Sequence, residues 1–241
     1  MRLKTSLPSE WDRQAESWDE GIHSPEWPHY HYYKTFDIHL AGLLKGCKRV
    51  LELGCGTGDC TVNYVSHTEE IVASDFSKRM VVTANEKMAS RSIRNVHLAI
   101  FDAQHIPSRD RAFDGLFSRG ALINYVHQPE ELLAEIYRVV LPGSIVVLDM
   151  ISGRPGGEAK LYSTAEVNSL LESTGFREIG FRPMGMFLRC RSNPSLIEFV
   201  NSHRDIFCLI ESEMHEAFKL DHSVMTLIAA RRRGRSSNQA S

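Results

Sequence analysis

Between residues 49 and 183 the chain repeats one pattern of apolar and polar positions. A short run rich in Val, Ile, Leu and Phe gives way to a longer stretch whose apolar residues recur at helical spacing. The short runs Arg49–Leu53, Glu70–Ser74, Val96–Phe101, Phe113–Ser118, Ser144–Met150 and Phe176–Pro183 predict six strands. Helices are predicted from Thr57 to about Ser66, from a Ser77 cap to Ser90, over Pro129–Val140 with proline in the first turn, and over Ser163–Ser173. In the last of these Ser163 or Thr164 is the N-cap, Glu166 stands near the capping-box position, and Gly175 ends the helix. Ser144–Met150 is nearly all apolar, as a strand covered on both faces should be. This alternation predicts a doubly wound α/β fold, a parallel sheet with helices on both faces.

The two ends depart from the pattern. Trp11 and Trp18 are seven residues apart with Ala15 between them, which would place them on one helix face. Ser24-Pro25 and Trp27-Pro28 interrupt that helix, and a second is predicted from about His31 to Leu44, ending near Gly46. After the sixth strand, Ser195–Leu220 reads as a helical insert whose apolar stripe includes Phe199, Ile206, Phe207 and Phe218. Ser223–Ala230 is a last strand. The expected organisation is a single domain: a helical cap over 1–46, a core over 47–190, the insert over 191–221, the last strand over 222–231 and a disordered tail over 232–241.

Bulk properties narrow the function classes. The formal charge of −2 gives no electrostatic reason to expect nucleic acid or a membrane surface as the main partner. The five cysteines are scattered, with no CxxC pair and no zinc-site spacing, so no structural metal is expected and reduced thiols are. The first eight residues lack the apolar run of a signal peptide, and no stretch approaches the ~20 apolar residues of a membrane span. A cytoplasmic protein is the expectation, monomer or homodimer.

The chemistry concentrates at strand ends. Gly54-Cys-Gly-Thr-Gly58 lies between the first strand and its helix, where glycines permit a sharp turn and close approach of a ligand. Dinucleotide loops have GxGxxG spacing and hold pyrophosphate at a helix N-terminus. Here the third glycine comes one residue earlier, and Glu52 stands two residues before the first. An acid there repels pyrophosphate and suits a cationic cofactor. Asp75, in Ala73-Ser-Asp-Phe-Ser77, follows the loop at about the 20-residue distance of a ribose-binding acid. It can also cap the next helix, and Phe76 can stack on a purine or belong to the core. Asp102, in Phe101-Asp-Ala103, can accept from an adenine amino group or cap a helix.

Together these residues resemble the class I S-adenosylmethionine-dependent methyltransferases, in particular the ubiquinone/menaquinone-biosynthesis type. Four stretches carry the resemblance: Val50–Asp59, Ala73–Ser77, Phe101–Pro107 with Phe113–Ser118, and Leu133–Gly143. Ser144 replaces the second glycine of the family's Leu-x-Pro-Gly-Gly turn. The resemblance implies a Rossmann-like seven-stranded sheet of order 3-2-1-4-5-7-6 with strand seven antiparallel, and S-adenosyl-L-methionine as cofactor. It implies that Glu52, Gly54, Gly56 and Gly58 line the methionine and ribose end, and that Asp75 holds the ribose. Phe76 would flank the adenine, and Asp102 with Ala103 would meet its edge. Arg119 falls where the family contacts the methionine portion, or it meets an acidic substrate.

The expected activity is in-line methyl transfer to a small-molecule acceptor, where positioning supplies much of the catalysis. Acceptor-side candidates are Trp18, His23 and Tyr33 in the cap, and Asn124 and Tyr125 beyond strand four, with His127 as the candidate base. The N-terminal cluster His29, Tyr30, His31, Tyr32 and Tyr33 also admits a metal or base reading, although histidines have many structural fates. Competing readings are a protein or RNA methyltransferase, a nicotinamide-dependent oxidoreductase, and a cofactor-binding protein without catalysis.

Overall fold

The structure, a computed structural model, describes residues 7–23, 30–151, 160–184, 202, 203, 206 and 225–234; for His23, Tyr30, His31 and Met225 it describes the backbone alone. Seven strands form one sheet of order β3-β2-β1-β4-β5-β7-β6. In chain order they are β1 (Arg49–Leu53), β2 (Glu70–Asp75), β3 (Val96–Ile100), β4 (Phe113–Phe117), β5 (Val140–Ile151), β6 (Phe176–Met184) and β7 (Met225–Arg232). The first five run parallel, and β7 is antiparallel to both β5 and β6. The expected topology is the observed one. Among the described residues no helix is long and apolar enough to cross a membrane.

Side-chain alternation in the central strands builds a core on each face. Leu51, Leu53, Leu116, Val146 and Leu148 point to one face, packed against Leu132, Leu133, Ile136 and Val139 of α7 (Pro129–Val139) and Val167 and Leu171 of α8 (Thr164–Thr174). Val50, Phe117, Ile145 and Val147 point to the other, against Tyr32, Phe36 and Leu40 of α3 (Tyr30–Leu43) and Cys60 and Tyr64 of α4 (Asp59–Tyr64). Glu52 follows Val50 by two, so the same alternation sends its carboxylate into the α3–α4 face. Ser163 caps α8 with the reciprocal Ser163–Glu166 bonds, and Gly175 ends it at φ +109.

Several boundaries move, each for a local reason. The glycine loop takes left-handed conformations through Gly58, so α4 starts at Asp59 and not at Thr57. The first tryptophan helix is two pieces, α1 (Pro8–Gln14) and α2 (Trp18–His23), joined by a turn. Trp11 and Trp18 still meet, with ring centroids 5.7 Å apart. A four-residue helix, α6 (Leu122–Tyr125), was not anticipated. Strand β7 runs to Arg232, which therefore does not belong to the tail. Its guanidinium lies 4.3 Å from the Tyr137 ring and donates to the carbonyls of Arg138 and Val140. The greater part of the expected insert lies outside the described residues.

Arg138 stands in α7, three residues before Leu141 of the turn that resembles the family's. It donates to the carbonyls of Ile106 and Ser108 and pairs with Glu135 and Asp110, pinning the loop that follows β3. On the next helix, α5 (Lys78–Ser90), Ser77 is the N-cap and accepts from the Met80 amide.

Gly58 and Gly143 separate two costs of losing a glycine. Both have positive φ, +79 and +86. A Cβ on Gly58 would stand 2.8 Å from Met88 Cε and 3.2 Å from Ala84 Cβ, whereas one on Gly143 would meet nothing within 4 Å. Gly143→Ala is expected to lower unfolding free energy by about 1 kcal/mol, and Gly58→Ala by about 2–4 kcal/mol. Urea denaturation of the two variants checks the difference.

Candidate functional site

At the carboxyl ends of β1, β2 and β4 lies a cavity of about 900 Å³. That is at the upper end of the roughly 300–1,000 Å³ of small-molecule sites. Its floor is the loop between β1 and α4, where Gly54 (φ +70) and Gly56 (φ +53) turn the chain. The Asp75 carboxylate closes this floor. One oxygen accepts the Gly56 amide at 2.9 Å and the other the Ser77 amide at 2.8 Å. The group is 9% exposed, and burial raises its pKa against the pull of those amides. Each oxygen keeps a lone pair, so the carboxylate can take both hydroxyls of a ribose.

Glu52 is 1% exposed and accepts the Thr61 hydroxyl at 2.6 Å. Burial pushes its pKa from 4.5 to about 7, against the Thr61 hydrogen bond and the charge of Arg119. Phe76, Asp102 and Ala103 also line the cavity. The Asp102 carboxylate accepts the Gln104 amide at 2.9 Å, so it also closes its own turn. Gln104 in turn accepts the amide of Gln128, tying this loop to the start of α7.

Three expected residues have structural contacts of their own. Gly58 does not line the cavity; its lack of a side chain lets the loop pack on Ala84 and Met88 of α5. Asn124 is buried and faces the backbone: it accepts the Ile151 amide and donates to the carbonyls of Ile151 and Lys160. Arg119 lines the cavity, but its guanidinium is already paired. It reaches Asp37 at 3.0 Å and Asp59 at 2.7 Å and lies 4.2 Å from the Tyr33 ring. Burial alone would lower the Arg119 pKa, yet Asp37, Cys60 and Asp59 outweigh it and raise it. Burial raises the Asp37 pKa, and Arg119 opposes that rise. No local motif marks Asp37 or Asp59 as partners of Arg119, because the three come from α3, α4 and the loop after β4.

The segment after β4 is held from below. Asp149 of β5 is buried and accepts the amides of Gly120 at 2.9 Å and Ala121 at 2.8 Å. These bonds fix Ala121 at φ 61, ψ 40, a left-handed conformation unusual for a residue with a Cβ. Tyr125 and His127 then reach the cavity, His127 exposed at its mouth.

Helices α1 and α2 cover the opening through Pro8, Trp11 and Trp18. Asp19 of α2 accepts the Thr57 hydroxyl at 2.5 Å and pairs with Lys87 at 2.7 Å. Asp12 of α1 accepts from Ser77 at 2.5 Å and from the Arg79 amide at 3.0 Å. Trp18 and Tyr33 line the cavity, and so does Trp11. For His23, the residues at 24–29 and His31, the side chains lie outside the described residues, and the metal reading of the N-terminal cluster lies there with them.

The glycine loop at the switch from β1 to α4, the acid ending β2 and the antiparallel β7 together define a class I S-adenosylmethionine-dependent methyltransferase fold. Residues 50–143 match a family model described as a methyltransferase domain. The chain is 32% identical over 149 residues to a ubiquinone/menaquinone biosynthesis C-methyltransferase of Erwinia tasmaniensis, covering 60% of this chain and 56% of that one. It is 30% identical over 156 residues to a malonyl-[acyl-carrier protein] O-methyltransferase of Marinomonas, covering 63% and 54%. The chain thus spans a little over half the length of these curated relatives. The fold is also that of phosphoethanolamine N-methyltransferase 2 of Haemonchus contortus, solved with S-adenosyl-L-methionine. The TM-score is 0.68 at 18% identity, over 95% of this chain and 60% of that one. The matched region is similar to methyltransferase domains, and the chain resembles the ubiquinone/menaquinone-biosynthesis group.

Burial of Glu52 makes a signed prediction. The unfolded chain releases this proton near pH 4.5 and the native protein near pH 7, so the native state binds more protons in between. Stability therefore falls as pH rises from about 4.5 to about 7. Glu52→Gln removes that contribution, and its stability relative to the wild type should rise by up to about 3 kcal/mol across this window. Urea titrations at pH 4.5, 6 and 7.5 check it; a difference independent of pH would show that Glu52 titrates normally.

Proposed function

We propose that the chain transfers a methyl group from S-adenosylmethionine to a small-molecule acceptor. The observation that carries this reading is the Asp75 carboxylate, drawn onto the glycine loop by the Gly56 amide and facing the cavity. A diol fits its two oxygens, and the adjacent Glu52 suits the cationic end of such a cofactor better than a pyrophosphate. When bound, S-adenosylmethionine supplies a methyl group on a sulfonium whose departing thioether is neutral.

The work left to the protein is placement. The Gly54–Gly56 backbone permits close approach, and Phe76 with Ala103 supports a flat base beside Asp102. On the acceptor side, Tyr33 and Tyr125 wall the cavity while α1 and α2 exclude water from above. His127 at the mouth is the candidate to receive a proton where the acceptor must lose one. A roof fastened by Asp12 and Asp19 favours a small acceptor over a protein segment or RNA, and the carboxylates around the cavity repel a polyanion.

Three measurements test this reading. S-adenosylhomocysteine should raise the melting temperature and NAD should not; the reverse would make the protein a nicotinamide enzyme. Asp75→Asn should weaken S-adenosylhomocysteine binding by about 10- to 100-fold, the worth of a charged hydrogen-bond acceptor. His127→Ala should lower kcat/KM by about 100-fold or more with cofactor affinity unchanged. An unchanged kcat/KM removes His127 from the mechanism.

A further inference from the structure

The acceptor side of the cavity has an arrangement of rings that methyl transfer alone does not require. Trp11 meets Trp18 at a centroid distance of 5.7 Å and an interplanar angle of 72°. It meets Tyr125 at 5.9 Å and 89°. The three rings come from α1, α2 and α6, three separate helices, and all three line the cavity. Neither contact is parallel, so Trp11 forms no flat slot with either neighbour for a planar aromatic acceptor. Walls at steep angles instead surround a rounded group, and aromatic faces attract cations through the ring quadrupole.

The charge of the lining is compatible with a cation. Glu52, Asp59, Asp75 and Asp102 line the cavity against a single Arg or Lys side chain, Arg119, among the described residues, although Glu52, Asp75 and Asp102 lie on the cofactor side and burial raises the Glu52 pKa to about 7. Arg119 is itself engaged by Asp37 and Asp59. With Arg119 paired, no unpaired Arg or Lys charge lining the cavity among the described residues repels an ammonium. The ring geometry favours a small cation, and the charge of the lining does not oppose one.

We propose that the acceptor is a small alkylamine, drawn in as its alkylammonium form and held by Trp11, Trp18 and Tyr125. This rests on the methyl-transfer reading and names its substrate class. For reaction the ammonium must first release one proton, to water or to His127 at the mouth. The nitrogen lone pair then forms the N–C bond to the methyl carbon as the C–S bond breaks. The sulfur keeps that bonding pair as a neutral thioether, and the product is an ammonium with one more methyl group.

The test uses the full chain saturated with S-adenosylhomocysteine. Calorimetric titration compares choline, which carries the trimethylammonium group, with 3,3-dimethylbutan-1-ol, its neutral counterpart of the same shape. Choline is expected to bind about tenfold or more tightly than the alcohol. Trp11→Ala and Tyr125→Leu should each remove about tenfold of choline affinity. Tyr125→Phe, which keeps the ring, should stay within about threefold. If the alcohol binds as well as choline, the pocket is merely apolar and the proposal fails. It fails likewise if neither binds, or if Tyr125→Leu behaves as Tyr125→Phe. Failure of S-adenosylhomocysteine itself to bind would instead overturn the methyl-transfer reading.

Discussion

Two backbone amides on one buried carboxylate hold the ligand end of this protein together. Asp75 sits at the last position of β2 and accepts from Gly56 in the neighbouring loop and from Ser77 at the start of α5. Those bonds offset part of the cost of burying a charge and set the height of the glycine loop over the sheet. The loop depends in turn on Gly58, whose missing side chain lets α5 lie against it. A single acid therefore joins β1, β2, α4 and α5 and still presents unused lone pairs to the cavity.

The other buried polar side chains hold the site together. Asp149 fixes the left-handed turn at Gly120–Ala121, and Asn124 stitches the next helix to the end of β5. Both are polar residues consumed by backbone groups that would otherwise be unpaired and buried. Arg119, Asp37 and Asp59 form a second knot on the α3–α4 face. Breaking it at one partner would leave an uncompensated charge in the interior, which usually costs more than the pair contributes. Of these three, Arg119 and Asp59 line the cavity, and there they neutralise each other.

The covering helices add what the sheet cannot. Helix α1 is too short to be stable alone, and its position comes from contacts made through Asp12 to the N-terminal end of α5. Asp19 does the same for α2 through Thr57 and Lys87. These side chains fasten the roof to the glycine loop itself, so Trp11 and Trp18 are placed over the cavity by the same elements that shape its floor.

Strand positions, the glycine loop, Glu52 and Asp75 were legible in the chain because each is fixed by local rules. Period-two alternation puts Glu52 inward, and a strand end followed by glycine permits only a few backbone paths. Even the Ser163 cap and the Gly175 stop follow from a few neighbouring residues. What the chain did not disclose is where a side chain near the site points once helices pack. Asn124 reads as an acceptor contact by its place after β4, yet a slightly different turn sends it to the backbone of β5. Gly58 reads as part of the ligand loop, but the close approach it permits is with α5. Arg119 reads as a cation awaiting a carboxylate, and finds Asp37, 82 residues earlier, and Asp59. The meeting of Trp11, Trp18 and Tyr125 has the same origin, for it joins α6 to the covering helices across more than 100 residues of chain. Local periodicity and turn chemistry determined the frame and its cofactor loop. Long-range packing alone decided which polar groups were already satisfied and which remained to meet a ligand.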